Sequence, residues 1–180
     1  DLDGIQAAVR AGAVLTSEME LFFALCPAKI FAVTGSDGKT TTTTLTCKLL
    51  EAEAAKAGRG QRVFVGGNIG APLLPRLADI RADDFAVVEL SSFQLMTMPK
   101  AAWAAAITNI SPNHLNWHTD MDEYTAAKYR VLGAGTHRAV LNADNALSAG
   151  APVPAGAKKI VFSLDRRPAD MDGDVKIYEE

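Results

Sequence analysis

A short glycine-containing segment precedes a lysine and a threonine at the junction of a predicted strand and a predicted helix. The run Lys29–Thr34 indicates a buried strand, and residues 40–57 indicate a helix. Glycines let the backbone turn tightly and point N–H groups at an anion, and the start of a helix adds a favourable partial charge. A lysine here would bridge the β- and γ-phosphates of a nucleotide, and the threonine hydroxyl would ligate Mg²⁺. We therefore predict a phosphate-binding loop whose members are Gly35, Ser36, Asp37, Gly38, Lys39, Thr40 and Thr41.

The spacing of this loop is shorter than in the general phosphate-loop pattern. That pattern places a first glycine five residues before the second, and Val33 occupies the position here. The alternative is an ordinary strand-to-helix turn with a solvated lysine. Five consecutive threonines begin at Thr40. They favour the phosphate loop, because β-branched residues are mediocre helix formers and hydroxyls lining a phosphate site would account for the first two.

Farther along the chain, an apolar strand ends in a carboxylate. Residues 85–90 read FAVVEL, so Glu89 stands near the carboxyl end of a predicted strand. An acid beside a phosphate loop binds Mg²⁺ in nucleotide-hydrolysing folds, where aspartate is commoner. The alternative is a glutamate that points to water. Ser91, Ser92 and Gln94 follow at once and supply hydrogen-bonding groups, although such residues are also typical of a turn.

Two histidines, His114 and His118, lie four residues apart after a further predicted strand. On a helix this spacing would put both side chains on one metal-binding face, but Pro112 and the neighbouring asparagines argue against a regular helix. A third soft ligand is not evident, so a zinc site is not favoured. We predict instead that a single histidine lies near a magnesium and phosphate centre.

Lys128 stands on a helical stripe that should be buried. Met121, Tyr124, Lys128 and Val131 recur at helical spacing and share one face of a predicted helix over 122–132. One interpretation is a snorkelling lysine, whose stem is packed and whose ammonium reaches water. The other is a lysine held in a site, where burial lowers the pKa of the amine. The neutral amine can react with carbon dioxide to give a carbamate, which is a metal-binding anion.

Strands and helices alternate along most of the chain, which predicts an α/β fold with a mostly parallel sheet flanked by helices. Ligands in such sheets lie at the carboxyl ends of the strands, and the residues named above follow strands. Four further elements belong to the prediction. They are a short strand at 13–15, a helix that Pro72 opens, a helix capped by Asp144 and an edge strand at 175–178.

The composition excludes several functional classes. The 180 residues are 48% hydrophobic and 22% charged, with a formal charge of −3, as in an ordinary globular protein. The longest apolar run, residues 101–107, is far shorter than the roughly 18 residues that span a bilayer. The lack of basic clusters disfavours nucleic-acid and membrane partners. Cys26 and Cys47 are expected to be buried thiols rather than a disulfide framework.

Several stretches together resemble the Mur ligase family in order and spacing, from about Ser17 to Leu147. The stretches are Thr34–Thr40, Gly67–Gly70, Glu89–Leu95, Asn109–His114, Tyr124–Lys128 and Leu141–Asp144. The residues ELSSFQL at 89–95 favour the branch that adds D-glutamate. The resemblance implies that residues 29–180 form an incomplete, P-loop NTPase-like central ATP-binding domain. It also implies that residues 1–28 lead in from a missing N-terminal domain and that the C-terminal domain is absent.

The resemblance further implies roles for individual residues. Lys39 and Thr40 would hold the ATP phosphates and a first Mg²⁺, with Glu89 as a ligand of that metal. His114 and a carbamoylated Lys128 would bind a second Mg²⁺. The implied catalytic residues are Lys39, Glu89, His114 and Lys128. The implied contacts with the muramoyl substrate are Asn68, Ser91 and Gln94.

The activity implied by the resemblance is ATP-dependent ligation in peptidoglycan precursor synthesis. The carboxylate of UDP-N-acetylmuramoyl-L-alanine would take the γ-phosphate of ATP to give an acyl phosphate, and the amine of D-glutamate would then form the amide. We expect a monomeric, cytoplasmic bacterial protein, and no turnover by these residues alone. Two alternatives remain: another muramoyl-peptide or folylpolyglutamate-type ligase, and a nucleotide-binding P-loop module without ligase activity.

Overall fold

A computed structural model describes residues 2–113, 116–165 and 174–175 of the chain. Its strands are β1 (Lys29–Thr34), β2 (Val63–Gly67), β3 (Phe85–Glu89), β4 (Ala104–Ile107), β5 (Arg138–Asn142), β6 (Lys158–Phe162) and β7 (Asp174–Val175). Its helices are α1 (Leu2–Arg10), α2 (Glu18–Leu25), α3 (Lys39–Ala57), α4 (Ser92–Leu95), α5 (Met121–Tyr129) and α6 (Ala146–Ala149), with a 3-10 helix at Leu74–Asp79.

The strands form one sheet in the order β2-β3-β1-β4-β5-β6-β7, and every pairing among the described strands is parallel. The predicted α/β fold is therefore confirmed. β1 lies between β3 and β4, so the chain first turns to one side of β1 and later crosses to the other. The carboxyl ends of these three strands meet at a topological switch point, where open α/β sheets bind their ligands.

The middle of the sheet is buried on both faces, as parallel sheets flanked by helices require. Ala86, Val87 and Val88 of β3 are fully buried, and Phe22 and Phe23 of α2 extend the core on one face. This packing holds the ends of β1, β3 and β4 in fixed relative positions, and those ends carry most of the predicted site residues.

The segment before α2 has one ordered contact and one prediction that fails. Ser17 caps α2, because its hydroxyl accepts the N–H of Glu20 at 3.2 Å. The strand predicted at residues 13–15 is wrong. Val14 and Leu15 are 85% and 70% exposed, and a short apolar run does not form a strand without a neighbouring strand to pair with.

Three other local predictions change in detail. The helix predicted after Pro72 is the 3-10 helix. Asp144 does not cap α6: Asn145 does, by accepting the N–H of Ser148 at 2.9 Å. The carboxylate of Asp144 instead accepts the N–H of Leu164 at 2.8 Å, so it ties the end of β5 to the segment after β6. Of the edge strand predicted at 175–178, the structure describes only Val175, which is the last residue of β7.

Two expectations from composition can also be compared with the described residues. Cys26 and Cys47 are buried free thiols, as predicted. A search of the described helices finds no segment with the length and apolar character needed to cross a membrane.

Candidate active site

The loop between β1 and α3 has an open row of amide groups. Gly35 and Gly38 have φ values of +149° and +75°, in the region that favours glycine. A Cβ atom on Gly35 would collide with the hydroxyl of Thr108. The first helical bond of α3 runs from the N–H of Thr42 to the carbonyl of Gly38. The amides of residues 39–41 therefore precede the hydrogen-bond ladder and are oriented to bind an anion.

Residues that follow β4 hold the other part of this loop. The N–H of Ser36 donates to the carbonyl of Asn109 and the N–H of Asp37 donates to its Oδ1, both at 2.9 Å. The hydroxyl of Thr108 donates to the carbonyl of Asp37 at 2.6 Å. These bonds stabilise the turn but engage the amides of Ser36 and Asp37, so phosphate contacts from these two residues stay predictions. Thr108 and Asn109 lie directly after β4, at the edge of the sheet where such folds bind ligands.

Glu89 is buried at the end of β3 and contacts the start of α3. Its side chain is 1% exposed, so the alternative of a glutamate pointing to water is wrong. Thr40 Oγ1 donates to Glu89 Oε2 at 2.8 Å, and Asn68 Nδ2 donates to Oε1 at 3.1 Å. The loop after β1, the loop after β2 and the end of β3 thus converge on one carboxylate.

The residues around Glu89 fit a magnesium ion. Among the described residues, no cation lies within ion-pair distance of this carboxylate, although a buried charge normally requires one. Carboxylate and hydroxyl oxygens are suitable ligands for Mg²⁺, which completes its shell with water and substrate phosphates. In the described part of the chain no cluster of three or more His, Cys, Asp or Glu could hold a metal by itself. A metal site made of Thr40, Glu89 and substrate oxygens does not require such a cluster.

A cavity of about 150 Å³ lies between these loops and α5. It is lined by Lys39, Asn68, Ser91, Ser92, Phe93, Tyr124 and Lys128. The cavity brings together four residues that were singled out in the sequence: Lys39, Asn68, Ser91 and Lys128. In this conformation Lys39 Nζ donates to the carbonyl of Ser36 at 2.9 Å. A larger cavity of about 780 Å³, between α3, β2 and the 3-10 helix, contains none of the predicted site residues.

Lys128 is held inside the protein and does not snorkel. Its side chain is 1% exposed, and Nζ donates to the carbonyl of Gly35 at 2.8 Å. Nζ also lies 4.5 Å from the centroid of the Tyr124 ring. Burial, followed by repulsion from Lys39, lowers the pKa of Lys128 to about 7, against a smaller opposing effect of Asp37. A substantial fraction of this amine is therefore neutral near pH 7, which is the form that reacts with carbon dioxide.

Ser91 and Gln94 have a structural role that accounts for both side chains. Ser91 Oγ accepts the N–H of Gln94 at 3.2 Å, and the N–H of Ser91 donates to Gln94 Oε1 at 3.0 Å. This capping box begins α4. Ser91 lines the cavity, whereas Gln94 is not among its lining residues. Their predicted contacts with substrate stay predictions, and so does the role of His114, which lies outside the described residues.

Tyr124 joins the phosphate loop to the loop after β4, a role that its sequence position alone did not indicate. Its hydroxyl lies 3.0 Å from Ser36 Oγ, and that serine donates to the carbonyl of Ser111 at 2.9 Å. Ser92 and His118 were also named in the sequence without a definite role. In the structure both are buried beside the cavity, with His118 Nε2 2.9 Å from Ser92 Oγ.

Comparison with known proteins agrees with this arrangement. A family profile described as the Mur ligase middle domain matches residues 33–180. The chain belongs to the Mur ligase family. Curated relatives named UDP-N-acetylmuramoylalanine–D-glutamate ligase include one from Acetivibrio thermocellus, which is 51% identical over 147 residues, or 81% of this chain and 30% of the relative. Another, from Ruminiclostridium cellulolyticum, is 47% identical over 165 residues, or 91% of this chain and 34% of the relative.

Solved structures show the same Mur ligase fold. A UDP-N-acetylmuramoyl-L-alanyl-D-glutamate–2,6-diaminopimelate ligase matches with a TM-score of 0.66 and 28% identity, covering 85% of this chain and 36% of that one. A structure of E. coli FolC in complex with DHPP and ADP has a TM-score of 0.52 and 17% identity, covering 87% and 50%. The resemblance to the D-glutamate-adding branch is confirmed by the curated relatives. The chain spans about a third of the length of those relatives.

Proposed function

We propose that this chain is the ATP-binding part of a longer Mur ligase that joins D-glutamate to UDP-N-acetylmuramoyl-L-alanine. The observation that carries the proposal is the convergence of Lys39, Thr40, Glu89 and Lys128 at one edge of the sheet, beside the open amides of the phosphate loop. The names of the most similar curated relatives supply the choice of substrates. We also propose that the reaction takes place in the bacterial cytoplasm, because its first step consumes ATP.

Nucleotide binding would use groups that are already in position. The amides of residues 39–41 would hold the phosphates, and Lys39 would exchange its bond with the carbonyl of Ser36 for the β- and γ-phosphates. Thr40 and Glu89 would hold Mg²⁺ together with phosphate oxygens. When bound, the metal supplies positive charge to phosphoryl oxygens.

The first chemical step must bring two anions together. The substrate carboxylate attacks the γ-phosphorus, the bond to the β-phosphate oxygen breaks, and an acyl phosphate and ADP result. Lys39 and the amide of Asn68 would orient and stabilise these charges in the cavity that they share. Positioned charge of this kind is commonly a large part of catalysis.

The second step would form the amide. The amine of D-glutamate attacks the acyl carbon, and phosphate leaves from the tetrahedral intermediate. An ammonium at Lys128 would repel a second metal, whereas a carbamate at this amine would bind one. We propose that Lys128 is carbamoylated and holds a second Mg²⁺ with His114. The lowered pKa of Lys128, about 7, supports this modification.

Nucleotide binding tests the core of the proposal. In the full-length protein, Lys39→Ala should abolish Mg²⁺-dependent ATP binding in calorimetry, because the cation that faces the phosphates is lost. Lys48→Ala, at an exposed position of the same helix, should bind ATP like the unmodified protein. Undiminished binding by the Lys39 variant would contradict the proposal.

Turnover separates a ligase from a nucleotide-binding module. Full-length protein should form labelled product from UDP-muramoyl-alanine, D-glutamate and ATP, and the isolated 180-residue chain should not. A nucleotide-binding module without ligase activity would need no buried lysine in its cavity, so mass spectrometry without acid should find the carbamate on Lys128 only if the ligase proposal holds.

A further inference from the structure

One wall of the cavity has no role in the proposal above. Ser92 is 2% exposed and lines the cavity beside Lys39 and Lys128. His118 is 3% exposed, and its Nε2 lies 2.9 Å from Ser92 Oγ. Its other nitrogen, Nδ1, has no hydrogen-bond partner among the described residues and lies 3.8 Å from Glu123 Oε2. The three side chains form a line that runs from the cavity to the surface, where the Glu123 side chain is 39% exposed.

Two aromatic rings fix the orientation of His118. Phe93 stacks on the imidazole at 5.4 Å with an interplanar angle of 12°, and Tyr124 meets it edge-on at 5.1 Å. The ring therefore keeps Nε2 toward Ser92 and Nδ1 toward Glu123. We assign the proton of the neutral imidazole to Nδ1, because a carboxylate on that side favours an N–H over a lone pair. Nε2 is then the acceptor for the hydroxyl proton of Ser92.

The same cavity also contains donors. Lys39 and the Asn68 amide suit the carboxylate and phosphate groups of the first step, but an amine that attacks an acyl carbon must lose a proton to an acceptor. Ser92 Oγ, with its own proton directed at His118, presents lone pairs to the cavity. The same order of serine, histidine and carboxylate occurs in the serine hydrolase triad, where the histidine accepts the hydroxyl proton of the serine.

We propose that Ser92 and His118 relay the proton lost by the incoming amine, an inference that rests on the proposed function. As the amine nitrogen bonds to the acyl carbon, one N–H proton passes to Ser92 Oγ and the hydroxyl proton of Ser92 passes to His118 Nε2. The bond from the acyl carbon to the phosphate oxygen then breaks, and phosphate leaves with that electron pair. The imidazolium faces Glu123 and returns its proton to water at the exposed carboxylate. Ser92 is the catalytic residue, and His118 and Glu123 are positioning residues.

The test separates the two chemical steps in the full-length enzyme. Acyl phosphate formation is measured without amine, as ADP formed and as acyl phosphate trapped by borohydride. Amide transfer is measured with D-glutamate and, separately, with hydroxylamine. Hydroxylamine is largely uncharged at neutral pH and a far weaker base than an amino acid, so its attack depends less on a proton acceptor.

Ser92→Ala and His118→Gln should each lower transfer to D-glutamate about 100-fold, at the lower end of general-base effects. Acyl phosphate formation and transfer to hydroxylamine should stay within about threefold, because the first involves no amine and the second depends less on a proton acceptor. Glu123→Gln should lower transfer to D-glutamate less, since its carboxylate is partly solvated. His137→Gln, an exposed histidine at the opposite edge of the sheet, is the matched control and should change neither step.

Equal losses in both steps, or unchanged transfer to D-glutamate in the Ser92 variant, would overturn the relay. Since Ser92→Ala removes only one buried hydroxyl, it gives the same test if the His118 variant does not fold. Absence of acyl phosphate in the unmodified enzyme would instead overturn the proposed function, so the two failures are distinct.

Discussion

Replacing Lys128 by methionine should stabilise the folded chain at neutral pH while abolishing ligase activity in the full-length protein. Burial, and then Lys39, lowers the pKa of Lys128 from its ordinary 10.5 to about 7. At 1.36 kcal/mol per pH unit, the protonated side chain destabilises the folded state by roughly 5 kcal/mol. Methionine is apolar and similar in length, but it loses the bond to the carbonyl of Gly35, which costs about 1–3 kcal/mol. We therefore expect a net gain of about 2–4 kcal/mol below pH 7.

The pH dependence of this gain is the sharper part of the prediction. Between pH 7 and 10.5 the unfolded chain holds a proton on Lys128 that the folded chain lacks, so the stability of the unmodified chain rises with pH. The advantage of Lys128→Met should therefore shrink across that window. Urea unfolding of both chains at about pH 6 and about pH 10, in buffer free of carbon dioxide, measures the difference in their free energies of unfolding. Lys48→Met, at an exposed position, should show no such trend. A methionine advantage that is equal at both pH values would refute the reasoning.

Two further substitutions test contacts that stabilise the fold, one in the phosphate loop and one directly before β3. Gly35→Ala should destabilise the chain by roughly 3 kcal/mol or more in urea unfolding, because its Cβ would collide with Thr108 at a positive φ; a loss below about 1 kcal/mol would contradict this. Asp84→Asn should cost about 2 kcal/mol near pH 7. Burial raises the pKa of Asp84, but hydrogen bonds from Arg81 and Arg62 outweigh it and hold that pKa well below the usual range. The stabilisation is present above about pH 4 and lost at lower pH, so a difference from the unmodified chain that persists in acid would disprove it.

Local sequence patterns predicted the strands because the central strands of the sheet are buried on both faces. Such strands, β1 and β3 among them, are continuous apolar runs that are easy to recognise. The patterns also predicted which residues stand at strand ends, and parallel strands bring such ends to one edge. The same patterns failed at residues 13–15, where apolar side chains have no neighbouring strand. They could not reveal that Asn109 engages the amides of Ser36 and Asp37, because this contact joins segments more than seventy positions apart. Nor could they pair His118 with Ser92, which depends on how α4 and the loop before α5 pack.

The charges of the site explain why it is costly in the conformation described and suited to its proposed reactants. Among the residues that the structure describes, Glu89 is a buried carboxylate without an ion-pair cation, and Lys128 is a buried amine without an ion-pair anion. Burial of the amine destabilises the folded chain. A divalent metal would pair with the carboxylate, and carbamoylation with metal binding would relieve the burial of the amine. Relief of this unfavourable burial would therefore contribute to the free energy with which metal and reactants bind. Sites of this kind trade stability for function, so a substitution that removes the Lys128 amine should stabilise the fold and eliminate the chemistry together.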